Sequence, residues 1–186
     1  MGTYKFGAPN KEISIEQFKE YLDKGFFVKF SHKVFFVILF WIGCRRSEPL
    51  NIRKEDLTES EGSLYLEIPA FKNGARGGKI ELSLELPGII YLQKHWQNTR
   101  SSRRLFPFTS KTSWRIVKRL DPKISPHFFR HNRITKLREL KDKGILSTDD
   151  IKSWTGLRRD STIEHYGMIT KKGIHKISNI LKTEIE

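Results

Sequence analysis

The first regular hydrophobic pattern in the chain follows Ser14. Apolar side chains recur there every three or four residues, at Ile15, Phe18, Tyr21 and Leu22. This is the spacing of one face of an α-helix. Ser14 and Gln17 have the spacing of a capping box, and Gly25 is a typical residue to end the helix. The pattern predicts a helix from Ile15 towards Gly25, preceded by a flexible lead-in over residues 1–12.

A second pattern is the continuous apolar run over residues 34–44, which Lys33 and Arg45 bound. Eleven residues are too few to span a membrane, which takes about 20. The run also lies too far from Met1, after several acidic residues, for a secretory signal. We interpret residues 31–48 as a buried core helix and expect a soluble, cytoplasmic protein without a membrane partner.

The period then changes from helical to alternating. Residues 63–69 and 79–84 each alternate apolar and polar side chains, as half-buried strands do. The glycine-rich residues 70–78 between them carry Lys72 and Arg76. The pattern predicts an antiparallel hairpin whose loop presents these two cations.

The rest of the chain has helical spacing. Ser125-Pro126 is a typical helix start, and Thr148, followed by two aspartates, is predicted to cap another helix. Helices are predicted over residues 87–97, 112–120, 126–144, from 148 onward, 161–167 and 174–185. The predicted fold class is mainly α with a small antiparallel β-sheet (α+β).

Composition narrows the possible partners. The 186 residues, enough for one domain, include 35 Lys and Arg against 21 Asp and Glu, a net charge of +14. Such an excess favours a polyanionic partner, with nucleic acid first and an anionic membrane second, although solubility alone is a third explanation. The single Cys excludes an internal disulfide framework and a cysteine-rich zinc module.

The common catalytic motifs are missing from the sequence. It contains no GxxxxGK[ST] phosphate loop, no GxGxxG and no HExxH. Asp149-Asp150 is explained by its place at a predicted helix start, and no acidic cluster elsewhere would complete a metal site. We therefore predict no metal and no cofactor.

The helix predicted from Pro126 carries possible cations at its N-terminus. His127, Arg130 and His131 are spaced i, i+3 and i+4, which predicts one shared face. Cations at this end of a helix are unfavourable unless an anion binds there. The alternatives are an exposed basic face, or a zinc site for which the further ligands are not evident.

Four features in this order resemble the tyrosine recombinase (phage integrase) family. They are Gly-Cys-Arg-Arg-Ser-Glu at residues 43–48, Lys72 on the hairpin, His-Phe-Phe-Arg-His at residues 127–131, and Tyr166 ten positions after Gly156. The resemblance covers residues 13–168 as a catalytic domain and leaves residues 169–186 as an amphipathic tail helix.

Two positions depart from the family's pattern. The family usually has His or Trp directly after that Gly, where this chain has Leu157. Arg158 or Trp154 could supply the missing donor. The hairpin loop is slightly longer than usual, so Arg76 or Lys79 could replace Lys72.

The resemblance implies DNA strand transfer without metal or ATP. Tyr166 would attack a backbone phosphate and form a 3′-phosphotyrosyl link, while Arg45 and Arg130 hold the phosphate. Lys72 would protonate the leaving 5′-oxygen, and His127 would bind the phosphate or accept the tyrosine proton. The implied protein is a site-specific recombinase or integrase. The alternatives are an inactive DNA-binding module of the same fold and a type IB topoisomerase-like enzyme.

Other basic and polar residues receive supporting roles. We expect Glu48 to orient an arginine and His131 to be a structural hydrogen-bonding partner. The cations predicted to contact the backbone of double-stranded DNA are Arg46, Arg76, Lys79, Arg103, Arg104, Lys111, Arg115 and Arg133.

The resemblance also implies self-association, as a tetramer on DNA. The tail over residues 174–185 would either pack on its own domain or dock on a neighbouring protomer. Family members usually carry an N-terminal DNA-clamping domain. It has no counterpart in these 186 residues, so we expect a fragment or a minimal member.

Overall fold

The structure is a computed structural model, and it describes residues 13–24, 27–68, 79–155, 177 and 179–182. Within them, helix α1 spans Ile15–Asp23 and begins with the predicted capping box between Ser14 and Gln17. Its buried Phe18 stacks on Phe40 with ring centroids 3.9 Å apart. The sequence prediction for this helix is confirmed, because its apolar face meets the core.

Helix α2, Phe30–Ile42, is the centre of the fold. Every residue from Val34 to Ile42 is buried, so the apolar run is core rather than membrane segment. The Trp41 indole N–H donates a hydrogen bond to the Pro87 carbonyl over 2.9 Å. No helix in the described part of the chain is long and apolar enough to cross a membrane.

The C-terminal end of α2 differs from the prediction of a helix to residue 48. The helix ends at Gly43, whose φ of 64° is left-handed and whose N–H still bonds to the Leu39 carbonyl. A left-handed glycine is a common helix terminator. A short 3-10 helix, Pro49–Asn51, follows. Residues 44–48 therefore form a turn rather than helix.

The sheet has three antiparallel strands in the order β1-β2-β3, namely Leu57–Ser60, Ser63–Glu67 and Lys79–Ser83. Leu64 pairs with Leu82, and Leu66 pairs with Ile80. The second and third strands are the predicted hairpin, whose connecting loop lies outside the described residues. The first strand was not predicted, because it has only one buried residue, Leu57.

The turn between β1 and β2 is tight. It consists of Glu61 and Gly62, with φ of 50° and 73°. Two consecutive positive φ values are typical of a type I′ hairpin, whose twist matches the strands. The Glu-Gly pair was the sequence feature that could have predicted the extra strand.

In the described part of the chain up to residue 155, four more helices follow. They are α3, Ile89–Asn98; α4, Ser110–Leu120; α5, Pro126–Asp142; and α6, Thr148–Thr155. All four were predicted with similar bounds, but the cap of α6 is Ser147 rather than Thr148. The Ser147 hydroxyl accepts the Asp150 N–H over 3.1 Å, and the Asp150 carboxylate accepts the Ser147 N–H over 2.8 Å.

Helices α3, α4 and α5 all contact α2. In the tail, the described Ile177 and Leu181 are buried in the chain's own core, and Lys182 forms an ion pair with Glu85 at 3.1 Å. These described tail residues therefore pack on their own domain, which is one of the two positions predicted for the tail. The helix predicted over residues 161–167 lies outside the described residues. The observed fold class, mostly helical with a small antiparallel sheet, is the predicted one.

Candidate functional site

Glu48 lies between the two arginines of the sequence motifs. Its Oε1 is 3.0 Å from Nη1 of Arg45, and its Oε2 is 3.9 Å from Nη1 of Arg130. The same carboxylate also accepts the backbone N–H of Arg45 over 2.5 Å. These contacts bring together two arginines that are 85 positions apart in the chain. They are the contacts that an orienting role of Glu48 requires.

The two arginines differ in their access to solvent. The Arg45 side chain is 51 % exposed, whereas that of Arg130 is 4 % exposed and that of Glu48 is 7 % exposed. An incoming anion can therefore reach Arg45 from solvent. Glu48 and Arg130 form the buried side of the site.

Arg130 is held by backbone oxygens from two elements. Its Nη1 donates to the Gly43 carbonyl over 3.2 Å and to the Thr155 carbonyl over 3.0 Å. Its Nη2 is buried and has no hydrogen-bond partner among the described residues. Burial lowers the pKa of Arg130, and the nearby Arg45 charge adds to this effect, while Glu48 opposes it. Arginine titrates so far above neutrality that the guanidinium stays charged.

The local chain geometry explains why Arg130 points inward. The last carbonyls of a helix have no intrahelical partner and carry the negative end of the helix dipole. The C-terminal end of α2 presents such groups to α5. Arg130 bonds to the Gly43 carbonyl, and Arg133, one turn later, bonds to the Phe40 carbonyl over 3.3 Å.

The burial of Arg133 contradicts its predicted contact with DNA. The residue is only 6 % exposed. Its guanidinium carbon lies 5.9 Å from the Phe40 ring centroid and 5.6 Å from that of Trp41. Pro126, Arg130, Arg133 and Leu137 form one buried stripe of α5. That spacing is visible in the sequence, but basic residues are not expected in a buried stripe.

The predicted shared face of α5 is divided. His127 and His131 are exposed, whereas Arg130 is buried. No described residue forms a hydrogen bond with the His131 ring, so the structural role of His131 stays a prediction. His127 lies in the first turn of α5, one turn before Arg130.

Most cations predicted to contact DNA are on the surface. The exposed ones are Arg46, Lys79, Arg103, Arg104, Lys111 and Arg115. The loop that carries Arg103 and Arg104 is fixed to the segment before the sheet, because Arg53 donates to the Ser102 carbonyl over 2.8 Å and Lys54 to the Thr99 carbonyl over 2.6 Å. This loop therefore presents its arginines from an anchored backbone.

Several predicted site residues lie outside the described residues. They are Lys72, Arg76, Arg158 and Tyr166. Trp154, the alternative donor for the position of Leu157, is 2 % exposed, and its indole N–H has no hydrogen-bond partner in the described part of the chain. Among the described residues, no group of three or more His, Cys, Asp or Glu side chains is placed to hold a metal ion.

Sequence reasoning missed the backbone carbonyl groups that take part in this site. The carbonyls of Gly43 and Thr155 are direct partners of Arg130. No residue type encodes a carbonyl, so only the position of Gly43 as a helix end could have suggested the first of them.

Comparison with solved structures identifies the fold class of the chain. The structure is similar to XerH, a site-specific recombinase crystallised with its difH substrate in a pre-cleavage complex, with a TM-score of 0.59 and 16 % identity. The match covers 92 % of this chain and 48 % of that one. This is the fold of a tyrosine recombinase catalytic domain.

Two further matches agree with this tyrosine recombinase fold. XerA recombinase has a TM-score of 0.56 at 16 % identity, over 91 % of this chain and 63 % of XerA. A post-cleavage complex of XerH with palindromic difH has a TM-score of 0.56 at 16 % identity, over 97 % of this chain and 54 % of that one. The chain thus spans about half the length of XerH. No protein-family model matches the sequence, and no curated protein does.

Proposed function

We propose that this chain is the catalytic domain of a site-specific DNA recombinase or integrase, which cleaves and rejoins DNA through a 3′-phosphotyrosyl intermediate. The observation that carries the proposal is the Arg45–Glu48–Arg130 arrangement, found on a recombinase fold. The order of the four sequence motifs supports the same function.

The arginine pair suits an incoming DNA phosphate. The transition state of phosphoryl transfer concentrates negative charge on the phosphoryl oxygens, and a planar guanidinium can donate to two of them. Arg45 offers an exposed guanidinium, and the buried Nη2 of Arg130 has no hydrogen-bond partner among the described residues. A preorganised donor of this kind contributes about 3–4 kcal/mol to transition-state stabilisation.

Three further residues complete the proposed reaction. The phenolic oxygen of Tyr166 attacks phosphorus, the bond from phosphorus to the 5′-oxygen breaks, and a 3′-phosphotyrosine forms. His127 accepts the phenolic proton, since a phenol with a pKa near 10 needs a base. Lys72 gives a proton to the departing 5′-oxygen. Attack by another strand's 5′-hydroxyl reverses these steps and rejoins the DNA.

Arg130 also supports the proposed position of the nucleophile. The Thr155 carbonyl that it binds is at the end of α6, immediately before Gly156. Tyr166 follows ten positions after that glycine. The same guanidinium that would hold the phosphate therefore anchors the start of the segment that carries the tyrosine.

The proposed partner is double-stranded DNA in the cytoplasm. Arg46, Lys79, Arg103, Arg104, Lys111 and Arg115 would contact its backbone, together with Arg76 on the hairpin loop. Arg158 belongs to the proposed catalytic site. Such contacts give affinity that falls with salt and carry little sequence information. Assembly of four protomers on DNA, with or without the tail, is part of the proposal.

The test is capture of a covalent adduct. Nicked duplexes of randomised sequence trap the cleaved state, because the short strand beyond the nick diffuses away. We expect protein–DNA adducts that survive denaturation by detergent, that persist in EDTA and that disappear in Tyr166→Phe but not in Tyr91→Phe. DNA binding without any adduct would indicate the inactive module instead.

A further inference from the structure

A basic pocket lies at the opposite end of α2 from Arg45. It has a volume of about 360 Å³ and lies between the N-terminus of α2 and one face of α4. Helix α2 has thirteen residues, so its two ends are about 18 Å apart. The pocket is therefore separate from the candidate site described above.

The charge of this pocket has one sign. Lys29, Arg115 and Arg119 line it, and no Asp or Glu is among the lining residues that the structure describes. Arg115 and Arg119 lie one turn apart on α4 and are both exposed. Ser31 and Thr112 add hydroxyl groups to the lining. This composition is typical of a site for a small oxyanion.

The start of α2 contributes backbone donors. Its N-cap is Lys29, whose side chain makes no capping hydrogen bond. The first N–H groups of a helix lack intrahelical acceptors and carry the positive end of its dipole. The His32 N–H already donates to the Lys29 carbonyl over 3.0 Å, which leaves the N–H groups of Phe30 and Ser31. Since no acidic residue occupies the first turn of α2, an external anion can bind these two groups.

His32 is the observation that points to a ligand. It is buried, with 8 % of its surface exposed, and it lines the pocket. Its ring packs edge-on against Phe108 at 5.4 Å between centroids. No described residue forms a hydrogen bond with either ring nitrogen, although a buried imidazole normally has such a partner. Burial, Lys29 and Arg119, in that order, lower the pKa of His32. The neutral ring can still donate one hydrogen bond.

We propose that this pocket binds a phosphate group, held by Lys29, Arg119, Arg115, the His32 ring and the first N–H groups of α2. The phosphate is either a free phosphate monoester or a phosphodiester of a DNA backbone. The proposal does not depend on strand transfer, because the pocket contains none of the residues assigned to cleavage. Only its DNA alternative rests on the proposed function, which assigns Arg115 to the DNA backbone.

The test follows the His32 ring by NMR. The ring C–H signal is assigned by its loss in His32→Gln, and the protein is titrated with inorganic phosphate or with a 20-base-pair duplex, against chloride at equal ionic strength. We expect a saturable shift of this signal and a rise in the pKa of His32, since a bound anion stabilises the imidazolium. Lys29→Gln and Arg119→Gln each weaken binding about tenfold. Lys94→Gln, which removes one exposed charge from α3, leaves it unchanged.

The titrations with inorganic phosphate and with duplex DNA distinguish the two possible sources of the bound phosphate group. A shift with inorganic phosphate that Arg119→Gln weakens supports the site and assigns a free phosphate as its ligand. A shift with the duplex alone, weakened in the same way, supports the site and assigns the DNA backbone. No shift with either probe, or equal weakening by Lys94→Gln, overturns the proposal. Absence of a covalent adduct in the unsubstituted protein would contradict the proposed cleavage and leave the titration with inorganic phosphate unaffected, so failure of one proposal is distinguishable from failure of the other.

Discussion

Arg130 donates a hydrogen bond to the Thr155 carbonyl over 3.0 Å, and this bond joins two distant parts of the chain. The same Nη1 atom reaches the Gly43 carbonyl at the end of α2. One buried guanidinium therefore holds the ends of α2 and α6 together. The residue proposed to bind the scissile phosphate is also a structural residue, so its loss affects folding as well as chemistry.

We expect Arg130→Ala to destabilise the protein by about 3–5 kcal/mol. The substitution leaves the buried Glu48 without its buried cation and removes the hydrogen bonds that Arg130 donates to two buried carbonyls. Urea unfolding followed by circular dichroism measures this loss. A change below about 1 kcal/mol would show that Arg130 does not hold the two helices together.

Arg45→Ala should separate catalysis from folding. Its side chain is half exposed, so loss of its ion pair with Glu48 changes the free energy of unfolding by at most about 1 kcal/mol. Loss of a phosphate donor should slow adduct formation by about 100-fold or more. Unfolding curves and adduct time courses on one preparation give both values. An adduct rate close to that of the unsubstituted protein would remove Arg45 from the proposed phosphate site.

Gly43→Ala tests the close approach of α2 and α5. A Cβ atom at residue 43 would lie 2.5 Å from Cβ of Arg133, in a backbone with φ of 64°. Gly144→Ala is the matched control, because Gly144 has φ of 72° and nothing within 4 Å of the added atom. The control should cost about 1–2 kcal/mol from backbone strain alone, and Gly43→Ala should cost about 1–3 kcal/mol more. Equal losses in thermal or urea unfolding would contradict the observed contact.

The salt dependence of DNA binding distinguishes surface arginines from buried ones. Arg103→Gln and Arg104→Gln should each lower the slope of log affinity against log salt by about 1. Arg133→Gln should leave that slope unchanged in protein shown to be folded, because Arg133 is buried beneath α2. Fluorescence anisotropy with a duplex over a range of salt concentrations measures the slopes. A lower slope for Arg133→Gln would indicate that Arg133 contacts DNA, which its burial contradicts.

Predictions from the sequence were most accurate for elements whose structure is determined by one local pattern. The capping box at Ser14 and the apolar run inside α2 need no distant partner to be recognised, and both are observed. Strand β1 has a single buried residue and was missed, because its pairing with β2 rather than its own composition stabilises it.

The site depended more on tertiary packing. The motifs indicated Arg45, Glu48 and Arg130, but nothing in their spacing shows that Arg130 is buried and Arg45 is not. Arg133 was assigned to the surface because arginine is rarely buried. The free carbonyls at the end of α2 reverse that preference, and their position depends on where α2 ends.

The most direct test of the proposed function is the identity of the residue that carries DNA in the covalent adduct. Digestion of the trapped complex with protease and nuclease, followed by mass spectrometry, locates the nucleotide on one peptide. We predict a single modified residue, Tyr166, joined to a 3′-phosphate, with a free 5′-hydroxyl on the released strand. Attachment at another residue, a 5′-phosphate linkage, or no adduct at all would contradict the proposed recombinase chemistry.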